Sequence, residues 1–184
     1  MRYVKILIPV IIIISFSFLP NVLAQSELGG QKAPYFVTSA VDGKSFVLKD
    51  WLQRPDNKVL VLTFFATWCL LSDEDLKFFQ RLQDQYADQG LRVFFVFTGS
   101  LSKIKAAKKY SEELKIEIPV LVDDKRAISK LFKVTGFPCI YGIDREGFLR
   151  IKYLGCCEDV KMEFERNLKN LLLSHDEEKL KVNN

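Results

Sequence analysis

The segment Val59-Leu60-Val61-Leu62-Thr63-Phe64-Phe65-Ala66-Thr67-Trp68-Cys69-Leu70-Leu71-Ser72 organises the rest of the chain. Its first seven residues, Val59 to Phe65, are apolar at every position except Thr63. A continuous apolar run of that length suits a strand buried on both faces. From Ser72 to Gln89 the pattern changes, with apolar residues at Leu76, Phe79, Leu82 and Tyr86 and a stop signal at Gly90. That is helical spacing with a C-terminal glycine. Cys69 therefore falls where a buried strand hands over to a helix. Helix N-termini carry partial positive charge and free backbone N–H groups, which stabilise a thiolate and raise its reactivity. The alternative role for a cysteine at this place is a buried, inert core residue.

Working outward, the same alternation continues. Val93 to Phe97 reads as a second buried strand, Ser102 to Leu114 as a helix, and Pro119 to Val122 as a short strand. Asp123-Asp124 then open a helix over Ala127 to Phe132, as turn and cap residues. Ile140 to Ile143 and Phe148 to Tyr153 form a hairpin across Asp144-Arg145-Glu146-Gly147, and Val160 to Leu173 forms an amphipathic helix. Upstream, Tyr35 to Val37 and Ser45 to Leu48 flank Asp42-Gly43 as an N-terminal hairpin. Strands alternating with helices predict an α/β fold with a central sheet and helices on both faces, made mixed by the closing hairpin. No internal repeat is present.

Residues 1–24 differ in kind. Arg2 and Lys5 precede an apolar run from Ile6 to Leu19, and Val22-Leu23-Ala24 present small or apolar residues to a peptidase. This is the pattern of a signal peptide. The uncharged stretch from Ile6 to Ser26 is also long enough to remain as an anchor if it is not cleaved. Either outcome predicts an extracytoplasmic domain, in the periplasm or secreted, where disulfides are permitted. Residues 25–32 read as a linker, 33–173 as the domain and 174–184 as a polar, fraying tail. The net charge of +4 falls to near +2 without Arg2 and Lys5, and no basic block stands out, so nucleic acid is not an expected partner. The basic face of Lys103, Lys105, Lys108 and Lys109 reads as solvated surface.

Thr63 to Cys69 resembles the active-site approach of thioredoxin-like proteins. Val134-Thr135-Gly136-Phe137-Pro138 resembles that family's cis-proline loop, and Ile140 to Gly147 the hairpin that follows it in TlpA-like and redoxin-type members. The resemblance spans about residues 33–173. It implies a thioredoxin-like fold and thiol–disulfide exchange, with Cys69 as nucleophile. Pro138 would hold an extended substrate strand and Trp68 would shape the surface beside the sulfur. It also implies a disulfide-containing protein or small-thiol substrate, an electron-donor redox partner and no bound cofactor. A membrane enters only if the N-terminal segment is retained.

One departure is central. The family's Cys-x-x-Cys becomes Cys69-Leu70-Leu71-Ser72, so a serine stands in place of the resolving cysteine that would release a mixed disulfide. Three other thiols, Cys139, Cys156 and Cys157, are candidates to resolve it, and all three are expected on the same rim as Cys69. Asp73-Glu74-Asp75 suit a first helical turn but oppose ionisation of a nearby thiol. The buried acid of the family has no clear counterpart, since Thr63 takes the expected place. No Cys-x2-4-Cys pair exists and the lone His175 lies in the tail, so no metal site is expected. Two other functions stay open. One is a redox-inactive thioredoxin-fold binding module. The other is a peroxiredoxin-like peroxidase, against which Leu62 and Ala66 stand where that family has Pro and Thr or Ser.

Overall fold

The computed structural model describes residues 30–66 and 72–182, with side chains as far as Ser174. The signal-like segment 1–24, most of the linker, and Trp68 and Cys69 lie outside the described residues. The strands are β1 (Val37–Ser39), β2 (Ser45–Val47), β3 (Val59–Ala66), β4 (Leu91–Thr98), β5 (Val120–Asp123), β6 (Cys139–Asp144) and β7 (Leu149–Leu154). The helices are α1 (Leu48–Leu52), α2 (Asp73–Tyr86), α3 (Leu101–Glu113), α4 (Ala127–Leu131) and α5 (Glu158–Val182).

Five strands form one sheet in the order β5-β4-β3-β6-β7, and β1 and β2 form a separate antiparallel pair. β3 pairs in parallel with β4 and antiparallel with β6, so the mixed character expected from the closing hairpin is present. All eight residues of β3 are buried, as its unbroken apolar run requires. Alternate side chains of β3 point to opposite faces. Val59, Val61 and Phe65 join Phe79 of α2 and Phe164, Leu168 and Leu172 of α5 in one core. Leu60, Leu62 and Phe64 join Phe36, Phe46, Leu48, Ile128 and Phe132 in a second core beneath the hairpin, α1 and α4.

Three local differences from the sequence reading have physical causes. The five-residue α1 was not expected, and its Val47 cap makes no side-chain hydrogen bond that composition could announce. Helix α5 runs on to Val182 instead of fraying at Ser174, through a stretch rich in Glu, Lys and Leu. The end of the linker is tied down: Leu149 N–H donates to Gln31 O at 2.9 Å, and Ala33 N–H to Gly147 O at 2.8 Å. Asp123 behaves as the expected cap, accepting from the Ile128 N–H at 2.7 Å and from the hydroxyls of Thr98 and Ser129. The Phe137–Pro138 peptide bond is cis.

Candidate functional site

The C-terminal end of β3 and the N-terminus of α2 bracket the five residues 67–71. Cys69 is three residues from Ala66 and three from Ser72 in the sequence. Ser72 is the N-cap of α2: its Oγ accepts the Asp75 N–H at 3.1 Å. The serine at the resolving position thus closes the helix end, the job Ser does well. Pro138 enters β6 next to the Phe64–Cys139 register pair, beside the same end of β3. The Gly155 N–H donates to the Pro138 carbonyl at 2.8 Å, which fixes the exit of β7 against the proline.

The three candidate resolving thiols separate sharply. All are unpaired thiols, but they do not share one rim. Cys139 is 1% exposed and packs in the second core, on the sheet face away from α2. Burial pushes its pKa up to about 11. The expectation that Cys139 borders Cys69 on the same rim is therefore corrected, because β6 register turns its side chain to the opposite face. Cys157 is exposed, and its carbonyl accepts the Lys161 N–H at 3.0 Å as α5 begins. Cys156 is half-buried against the α2–α5 core. Burial, then the Asp75 charge, push its pKa up to about 12.

Sequence reading missed Lys161. This residue is 8% exposed, and its ammonium lies 2.8 Å from Asp75 Oδ1, joining α5 to α2. Burial works against the Asp75 charge, but hydrogen bonds from Lys161 and Ser72 hold its pKa below the usual carboxylate value. The signal was available, since Lys161 lies three residues before Phe164 and seven before Leu168, on the apolar stripe of its helix. The other first-turn acid, Asp73, accepts the Tyr110 hydroxyl at 2.5 Å. Thr63 is fully buried on the α2 side of β3, and its hydroxyl has no hydrogen-bond partner among the described residues. No group of residues able to hold a metal ion occurs among the described residues, and none of their helices is long and apolar enough to cross a membrane.

A mixed five-stranded sheet, helices on both faces, and a strand-to-helix junction facing a proline loop define a thioredoxin-fold protein of the TlpA/redoxin type. The chain belongs to the AhpC/TSA family, whose model matches residues 29–152. It is 28% identical over 148 residues to the thioredoxin-like protein YneN of Bacillus subtilis, covering 79% of this chain and 84% of that one. It is 26% identical over 142 residues to the thiol-disulfide oxidoreductase ResA of Bacillus thuringiensis subsp. konkukian, covering 77% and 78%. Among solved structures it resembles a putative thiol:disulfide interchange protein DsbE from Chlorobium tepidum. That likeness has a TM-score of 0.68 and 26% identity, and covers 78% of this chain and 96% of the other.

Proposed function

We propose that this protein is an exported thiol–disulfide oxidoreductase in which Cys69 is the attacking nucleophile. The observation that carries the reading is the junction at which β3 ends and the capped N-terminus of α2 begins, with Cys69 three residues from each. A thiolate there meets the free N–H groups and positive end of the helix. The likeness to proteins named thiol-disulfide oxidoreductase supports the same chemistry. Pro138, beside the end of β3, is the edge along which an extended substrate strand lies, and Trp68 directly precedes the nucleophile in sequence. The signal-like residues 1–24 support an extracytoplasmic location. Substrates are then disulfides of proteins or small thiols, and electrons come from a dithiol partner.

In this reading the acids that follow the helix cap oppose ionisation of a thiol at the junction. Asp73 and Asp75 lie within the first turn after the cap, although Tyr110 and Lys161 offset part of their effect. The test is a disulfide-reduction assay on wild type, Cys69→Ser and Ser72→Cys. Wild-type turnover is expected, Cys69→Ser abolishes it, and Ser72→Cys increases it by supplying the missing thiol beside the nucleophile. Activity that appears only with Ser72→Cys means that the natural chain is a binding module. Cys69-dependent consumption of hydrogen peroxide in place of disulfide reduction means that it is a peroxidase.

A further inference from the structure

Among the described residues, the left-handed backbone positions not held by glycine are all held by cations: Lys115 (φ 60°), Lys125 (φ 50°), Arg126 (φ 61°) and Lys133 (φ 52°). A side chain at such a φ is strained, and glycine would remove the strain. Three of the four frame one short element. Lys125 and Arg126 turn the chain from β5 into α4, and Lys133 follows α4 directly before the Val134–Pro138 loop. Lys125 and Arg126 also stand at the N-terminal end of α4, which disfavours positive charge. Arg126 is the N-cap and, having only donors, makes no side-chain cap bond; Asp123 accepts the Ile128 N–H instead. Only Lys133, at the other end of the helix, has a local electrostatic reason to be there. Two cations are thus kept where both backbone and helix oppose them.

The same cations border the proline loop. Arg126 Nη2 donates to the Val134 carbonyl at 3.3 Å, and the guanidinium lies 5.3 Å from the centre of the Phe137 ring, next to Pro138. Its Nη1 makes no hydrogen bond among the described residues. Lys152 of β7 joins them, with Nζ 5.4 Å from the centre of the Tyr141 ring. The Tyr141 hydroxyl in turn donates at 2.6 Å to the carbonyl of Phe132, the residue before Lys133. Among the described residues, none of Lys125, Arg126, Lys133 and Lys152 forms a salt bridge. Asp123 is buried and held by Thr98 and Ser129, and Asp124 is exposed and pairs with none of the four. Leu154 adds an apolar element: it is 56% exposed, and a Cβ on Gly136 would meet its Cδ1 at 3.0 Å.

We propose that Lys125, Arg126, Lys133 and Lys152 form a docking surface for acidic polypeptide segments, and that acidic chains are the substrates this surface brings to the Pro138 edge. The substrate role rests on the reading of the protein as a thiol–disulfide oxidoreductase. A small anion would engage one cation, whereas an extended chain carries carboxylates at intervals and can set an apolar side chain against Leu154. Arg126 offers the planar fork that suits a carboxylate, and the lysines add point charges. Asp73 and Glu74, in the first turn of α2, repel the same chain and so favour approach from the α4 side.

The experiment measures fluorescence anisotropy of cysteine-free labelled peptides, one of Glu and Ser and one of Lys and Ser, with the purified protein at low and high salt. Wild type is expected to bind the Glu peptide in preference, and more weakly as salt rises. Arg126→Gln and Lys152→Gln should each weaken binding about threefold, and the pair Arg126→Glu with Lys152→Glu should reverse the preference. Lys125→Gly and Lys133→Gly should also weaken it while the urea midpoint of unfolding holds or rises, because backbone strain is relieved. A merely structural role lowers the midpoint along with the binding, and that result overturns the proposal. So do equal binding of the two peptides, and a preference for vesicles of anionic phospholipid over the Glu peptide, which would make the surface a membrane contact. A second measurement follows reduction of disulfide-linked peptides with acidic or basic flanks, with dithiothreitol as electron donor. The acidic one should show the lower KM at similar kcat, and Arg126→Gln should raise its KM alone. Equal turnover of both leaves the oxidoreductase reading standing and overturns this inference. Charge-selective binding with no reduction of either overturns the oxidoreductase reading, and the docking surface stands.

Discussion

Glu165 joins α5 to α2 through Arg81, whose Nη2 lies 2.8 Å from the carboxylate, and it also meets Lys169 at 3.2 Å. The Arg81 hydrogen bond is the main reason its pKa sits below the ordinary glutamate value, against a smaller opposing effect of burial. A carboxylate with a depressed folded pKa adds stability above its unfolded pKa and loses it as pH falls through the folded one. Glu165→Gln should therefore destabilise at pH 7 by up to about 1 kcal/mol, since Arg81 is half exposed and water screens the pair. At pH 3 and below the difference should shrink towards zero. Urea titrations of both proteins at the two pH values check this, and an equal gap at both would show that the charge plays no part.

At the level of elements, Gly90 sets the start of the central strand pair. It ends the turn after α2 at φ +94°, and its carbonyl accepts the Lys58 and Val59 N–H groups at 2.9 and 3.2 Å. A Cβ there would fall 2.8 Å from Lys58 Cγ and 3.0 Å from the Asp56 carbonyl. Left-handed strain and backbone crowding together should make Gly90→Ala cost roughly 2 kcal/mol or more, measured by denaturant unfolding. The same elements explain what the sequence disclosed. The runs through β3 and β4 and the spacing of α2 were readable, because burial on both faces and a 3.6-residue repeat leave direct marks. The five residues of α1 left none. Nor could the sequence say which way Cys139 faces, because that depends on the β3–β6 register, and neighbouring residues of a strand point to opposite faces. Asp75 was seen only as a helix-end acid, since its partner Lys161 comes from α5, far along the chain.

For the molecule as a whole, α5 is the last element to contribute core. Leu172 is 1% exposed and is, among the residues whose side chains are described, the last in the α2-side core. A chain ending at Ser174 keeps Leu172 and serves as the reference. One ending at Lys169 loses Leu172 and should fall by about 2 kcal/mol or more. Thermal unfolding of the two truncations tests this, and equal stability would mean that Leu172 contributes nothing to the core. The fold class was legible at this scale because strand and helix alternate along the chain. The two-sided placement of the cysteines was not, since it emerges only once the sheet is assembled.

The N-terminal hairpin has a consequence for how molecules of this protein meet one another. Ala40 bridges to Leu121, the Val41 N–H donates to Val120 O at 2.9 Å, and the Thr38 hydroxyl donates to Val122 O at 2.6 Å. On the far side Lys32 bridges to Phe148 at the start of β7. An open sheet edge is a template onto which a second chain can add a strand. Here the first segments of the domain occupy backbone groups on both flanks of the five-stranded sheet. They work as bumpers against polymerisation of the folded domain through its sheet edges.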